Sequence, residues 1–156
     1  MQLEFTLDQT SVRQALSGLD RDFSPLYKAW GDYLFGVAAD SFRQQRSPSG
    51  QPWQQLKEAT YRRKRQRRSP RSKYPNSILR DTGVLRDTLA AQPLPDGVEV
   101  GTNRPVGRYS LGAIHQFGAP RRNIPSRPFL PLGAQGEVLP EAVQALEQQL
   151  IEFISR

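Results

Sequence analysis

The segment NIPSRPFLPL, Asn123 to Leu132, places prolines at 125, 128 and 131, one every third residue. Each proline holds φ near about −65° and removes a backbone donor, so this stretch can be neither a helix interior nor a central strand. It is expected to run extended from Pro120 to Leu132, within an arm spanning 118–133. Thirteen prolines and twelve glycines in the whole chain extend the same constraint. They predict a few regular elements joined by long, shaped connections, with neighbouring subunits completing the fold.

A chain of 156 residues is the size of one domain, 1–156, and buries roughly 70% of its unfolded surface. It contains no cysteine and a single histidine, which excludes disulfides and disfavours a protein-built zinc site. No cofactor is expected. No apolar run reaches the length of about 18 residues that a membrane span requires, and MQLEFTLDQT lacks a basic-then-apolar leader. A soluble protein assembled in the cytoplasm, with no membrane partner, is the expectation.

The net charge of +7 is concentrated in YRRKRQRRSPRSKY, Tyr61 to Tyr74, which carries Arg62, Arg63, Lys64, Arg65, Arg67, Arg68, Arg71 and Lys73. Removing those eight from 22 basic residues leaves 14 against 15 acidic ones. The protein is a near-neutral body with one basic insert, expected as a loop over 61–75, in which a helix begun near Gln55 loses its apolar periodicity and is stopped by Ser69-Pro70 and Tyr74-Pro75. The insert suits either a solvated or protein-docking surface, or contact with nucleic-acid phosphates that weakens with salt. Tyr61 and Tyr74 flank the cations without interleaving them, so base stacking has little support and any contact should ignore base sequence.

Alternation in Gln2 to Leu7 predicts a half-buried strand, and Ser11-x-x-Gln14 resembles a capping box ahead of Val12, Leu16, Leu19 and Phe23. Ser24-Pro25 is expected to start a helix, with serine as the cap, running to about Arg46. Its stripe Leu26, Trp30, Tyr33, Leu34, Val37, Ala38 and Phe42 reads as core rather than as a stacking face for a ligand. The turn-rich loop SPSGQPW ends in Trp53, which should plug back onto that core. Asp81-Thr82-Gly83 marks a turn followed by extended or short helical structure. Pro95-Asp96-Gly97 should close a hairpin between Thr88–Leu94 and VEVG. A short helix stopped by Gly118 and a C-terminal helix over 139–156 follow, the latter with Leu139, Val143, Leu146, Leu150 and Phe153 on one face. The fold class is α+β: two or three helices packed on a small, mostly antiparallel sheet, with long Pro/Gly-rich loops.

His115 is the first candidate for chemistry. General-base or triad work needs an acid and a nucleophile held in reach, and the sequence offers no G-x-S-x-G, no H-E-x-x-H and no second histidine. A structural hydrogen bond is expected of it. Carboxylates are scattered. Asp81 and Asp87 sit in R-D-T repeats, suited to local turn or cap bonds, and Gly101 and Gly107 lack a phosphate-loop context. No catalytic residue is assigned, and no enzymatic activity is expected.

Five boxes occur in fixed order: P-x-G-x-x-W-x-x-L with a following threonine (Pro48, Gly50, Trp53, Leu56, Thr60), L-x-x-T-G-x-L (Leu79, Thr82, Gly83, Leu85), VEVGT, H-Q-F-G (His115 to Gly118) and P-x-R-P-F-L (Pro125, Arg127 to Leu130). From Phe42 to the C-terminus the chain resembles the phage virion morphogenesis family, the tail completion proteins of Mu-like and P2-like tailed bacteriophages. Tyr109-Ser110 stands where that family often has Tyr-Ala. The resemblance implies a non-enzymatic virion component in the tail or neck, forming a hexameric ring at the head-proximal end of the tail. Its implied partners are further copies of itself, the adjoining tail terminator and the neck or connector proteins. The alternative is a sequence-independent nucleic-acid-binding protein acting through residues 62–73. In a ring, the basic insert would face DNA in the lumen or an acidic face of an adjoining ring.

Candidate interface residues are His115, Gln116, Phe117, Pro125, Arg127, Pro128, Phe129 and Leu130, because an aromatic beside arginine and rigid prolines has the make-up of a docking anchor. An equally open role for Phe129 and Leu130 is to fill the core of their own subunit.

Overall fold

A computed structural model describes residues 21–67, 71–102, 105–106 and 109–156. The strand expected at Gln2 to Leu7, the capping box at Ser11 and Gln14, the residues Val12, Leu16 and Leu19, and Arg68, Ser69, Pro70 and Gly107 lie outside the described residues.

Helix α1 spans Ser24–Gln44 and provides the axis of the core. Leu26, Trp30, Leu34, Ala38 and Phe42 recur every fourth residue and are all buried, so one face of the helix is apolar along its length. Pro25 sits in the first turn, where its missing N–H costs nothing. Ser24 is already inside the helix and does not cap it. Instead the Asp22 carboxylate accepts the Ser24 N–H at 2.9 Å. At the other end Gln45 takes a left-handed φ of 54°, and its N–H bonds to Ser41 O. A residue with a Cβ occupies that conformation at a cost of about 1–2 kcal/mol. Two further bonds hold Gln45 there: its Oε1 accepts the Ile78 N–H at 2.6 Å, and its carbonyl accepts the Trp53 N–H at 3.0 Å.

Helix α2 (Glu58–Gln66) follows the turn-rich loop, and α3 (Val84–Asp87) follows the Asp81-Thr82-Gly83 turn, in which Gly83 has φ 97°. Strands β1 (Leu89–Leu94) and β2 (Gly97–Thr102) form the expected antiparallel hairpin, with Leu94 opposite Gly97 across Pro95-Asp96. Val98, Val100 and Thr102 point inward in strict alternation, and the hairpin lies on α1. Gly31 permits that approach, since a Cβ there would stand 3.1 Å from Val98 Cγ2 and 3.3 Å from the Ala91 methyl.

A short pair, β3 (Pro105–Val106) and β4 (Tyr109–Ser110), leads into α4 (Leu111–Phe117), whose first turn is capped by the Ser110 hydroxyl at 3.3 Å. Helix α5 (Pro140–Ile154) packs on α1, and the Trp30 indole N–H donates to Leu146 O at 3.1 Å. The fold is α+β.

Besides the Ser24 cap, two sequence expectations need correction. Residues 120–122 do not run extended: Pro120–Arg122 is a 3-10 turn closed by a bridge between Ala119 and Ile124. Pro120 begins that turn because its fixed φ suits a first turn position as well as an extended chain, and the three-residue proline rhythm starts only at Pro125. Residues 61–66 are not a loop but the body of α2. Glu58 in the first turn and Arg63, Lys64 and Arg65 in the last complement the helix dipole, which sustains a helix lacking an apolar stripe. Among the described residues no helix is long and apolar enough to cross a membrane.

Candidate functional site

Three of the sequence boxes meet in space, and backbone carbonyls join them. The Trp53 indole N–H donates to Pro128 O at 2.8 Å, and the Arg127 Nε donates to Gln54 O at 2.9 Å, so the loop after α1 and the proline arm clamp each other reciprocally. The Arg127 N–H bonds His115 O at 2.7 Å, which ties the arm to α4. Gln116, 1% exposed, completes the frame. Its Oε1 accepts from both Phe129 N and Leu130 N at 3.0 Å, and its Nε2 donates to Leu130 O at 3.1 Å. One side chain thus satisfies the backbone of an extended segment that has no strand partner at that point.

Gly118 turns the chain between helix and arm with φ 78°. A Cβ there would meet Ser126 N at 2.8 Å and Ile124 O at 3.0 Å. Phe129 is fully buried, with its ring 5.1 Å from that of Phe42, which meets Trp53 edge-on at 5.7 Å. Of the two roles open for Phe129 and Leu130, their placement fills the core of their own subunit. Arg127, 5% exposed, is likewise committed within the chain, whereas Phe117, Pro125 and Pro128 remain partly exposed. An open groove of about 440 Å³ runs between the Ser47–Gln54 loop and the arm, with Trp53, Phe117, Pro128 and Leu139 in its walls.

His115 faces this frame from α4. Burial pushes its pKa down to about 4, and the Arg127 guanidinium adds to the effect, so the imidazole is neutral at physiological pH. The structural hydrogen bond expected of its side chain is absent on one nitrogen: Nδ1 is buried with no partner among the described residues. Its backbone carbonyl makes the structural tie instead. Among the described residues no group of three or more His, Cys, Asp or Glu side chains is placed to hold a metal ion.

The basic segment divides in two. Lys64 points inward, 7% exposed, and its ammonium donates to Ser77 O at 2.5 Å and Arg80 O at 2.9 Å. Burial pushes its pKa below the ordinary lysine value, and Asp81 partly offsets this. Arg67 pairs with Asp81 at 2.7 Å, and Arg65 reaches Asn76 Oδ1 at 3.2 Å and lies over the Tyr61 ring. Arg62, Arg63, Arg71 and Lys73 are exposed. Arg68 lies outside the described residues.

Sequence reasoning missed Gln45 and the inward turn of Lys64. Gln45 carries no local signal, because its role depends on Trp53 and Ile78 arriving beside a helix end. Lys64 carries no local signal that separates it from the neighbouring cations, because the carbonyls it serves, Ser77 and Arg80, lie thirteen and sixteen residues further on.

The model of the phage virion morphogenesis family matches residues 7–151, nearly the whole chain, and the chain belongs to that family. It is a phage structural or assembly protein associated with the virion. No curated protein and no solved structure matches it.

Proposed function

We propose that this chain is a tail completion subunit acting at the head-proximal end of a phage tail, where it forms a ring that joins the tail to the head-neck proteins. The observation that carries this is the family match over residues 7–151. The geometry supports a mechanical role: the family's boxes are spent on clamping one another, through Trp53, Arg127 and Gln116, rather than on exposing a reacting group. The work of the frame is to hold its outer surface at a fixed shape, so that docking on neighbouring subunits orders little additional chain.

Contact with neighbours then passes through the rim of this module, the exposed Pro120–Asn123 turn and Ser126 together with partly exposed Phe117, Pro125 and Pro128. The function is non-enzymatic, and the partners are further copies of the chain, with hexameric closure, and the terminator and connector rings. Electron microscopy of a lysate lacking this gene tests the proposal. Separate filled heads and unjoined tails are expected, and intact infectious particles would refute it.

A further inference from the structure

We propose that the outer face of α2, extended by Arg71 and Lys73, is a sequence-independent binding surface for the phosphate backbone of duplex DNA. Ala59, Arg62, Arg63 and Gln66 fall at helical spacing on one side of α2 and, with Arg67, line a shallow depression. Lys64 lies on the opposite side and pins the helix to the carbonyls of Ser77 and Arg80. Asp81 fastens the next stretch to the end of α2: its carboxylate holds Arg67, and its carbonyl accepts the N–H groups of Lys73 and Tyr74 at 2.8 and 3.1 Å. Arg71 and Lys73 are thereby kept near the helix rather than on a free tether.

The partner is chosen by what this surface lacks. In the depression Arg62 and Arg63 stand beside Ala59, Gln66 and Arg67, with no aromatic or large aliphatic side chain among them. A protein interface needs a desolvated apolar anchor, whereas phosphate contact needs only cations in a fixed array. The surface therefore fits the backbone of the DNA that a virion carries better than an acidic protein face. It offers no recognition helix to a groove, so it reads charge and not sequence. The inference is independent of where in the particle the subunit sits.

Each phosphate neutralised contributes about 0.9 to the slope of log K against log[salt] on duplex DNA, so four cations contribute about 3.6. Raising salt from about 50 to 200 mM then weakens binding roughly 150-fold through these four alone. The test is fluorescence anisotropy of the full chain with two unrelated duplexes over a salt series. It compares wild type with the quadruple variant Arg62→Gln, Arg63→Gln, Arg71→Gln, Lys73→Gln, whose circular dichroism and melting must match wild type. Equal affinity for both duplexes, and a slope shallower by about 3 to 4 in the variant, are expected. Lys64→Gln should lower the melting temperature without a comparable change of slope, because its charge is spent inside the protein. An unchanged slope in the quadruple variant, or binding to poly-glutamate with none to DNA, overturns the proposal.

Discussion

At the residue scale, Gln116 does work usually left to a strand. The arm at Phe129 and Leu130 carries buried backbone groups, and the Gln116 carboxamide supplies one acceptor to both N–H groups and one donor to a carbonyl. Gln116→Leu keeps the volume but orphans two buried N–H groups. The expected cost is about 2–4 kcal/mol, read as a lower urea midpoint at unchanged m-value. His115 makes a second prediction. Its pKa falls from 6.5 to about 4 in the folded protein, so the unfolded chain binds a proton that the native state refuses. The stabilisation is complete above pH 6.5, declines as pH falls, and is lost below about 4, amounting to at most about 3 kcal/mol. As the chain's only histidine, His115 is the one side chain whose ordinary pKa lies between about 5 and 8. His115→Gln should flatten the dependence of stability on pH between 5 and 6.5, measured by denaturant titration at each pH. Both residues were visible in the H-Q-F-G box, but their roles were not. The sequence marks them as belonging together without showing that the neighbouring box supplies the backbone they serve.

At the element scale, the glycines distinguish a structural requirement from mere tolerance. Gly118 joins helix α4 to the arm with a positive φ and backbone atoms pressed against the position of its missing side chain. Gly36 lies within α1 with nothing within 4 Å of where a Cβ would be. Gly118→Ala should destabilise by more than about 1 kcal/mol, and Gly36→Ala should stabilise by about 0.5–1 kcal/mol, both by thermal or urea melts. Elements with a strong local period were legible: the α1 stripe, the hairpin across Pro95-Asp96, the stop at Gly118 and the start of α5 at Pro140 all follow from spacing and turn chemistry. Two elements were not. Helix α2 has no apolar stripe, and it persists through end charges and one inward lysine whose partners lie thirteen and sixteen residues away. The turn at Pro120–Arg122 depends on closure between Ala119 and Ile124, a pairing that a proline count does not reveal.

At the scale of the whole molecule, the boxes that made the family recognisable are the places where distant parts of the chain meet. Trp53, Arg127 and Gln116 join the loop after α1, the helix α4 and the proline arm into one frame built on α1. Phe129 had the composition of a docking anchor, yet it serves this core, because composition cannot tell an interface from an interior when both are made of aromatics and buried arginine. Truncating it should therefore damage folding before assembly: Phe129→Ala is expected to cost about 3–5 kcal/mol in the isolated protein. Folded variants of the exposed Pro120–Asn123 rim should keep their melting temperature and lose particle joining. Completion of the tail by this subunit, so that it can join the head, is open to direct measurement. Heads and tails are purified from a lysate lacking this protein, mixed with and without the purified chain, and scored for infectious particles. Infectivity restored only when the chain is present, with the protein located at the head-proximal end of the joined tails, is the expected result. Heads and tails that join equally well without it would contradict this role.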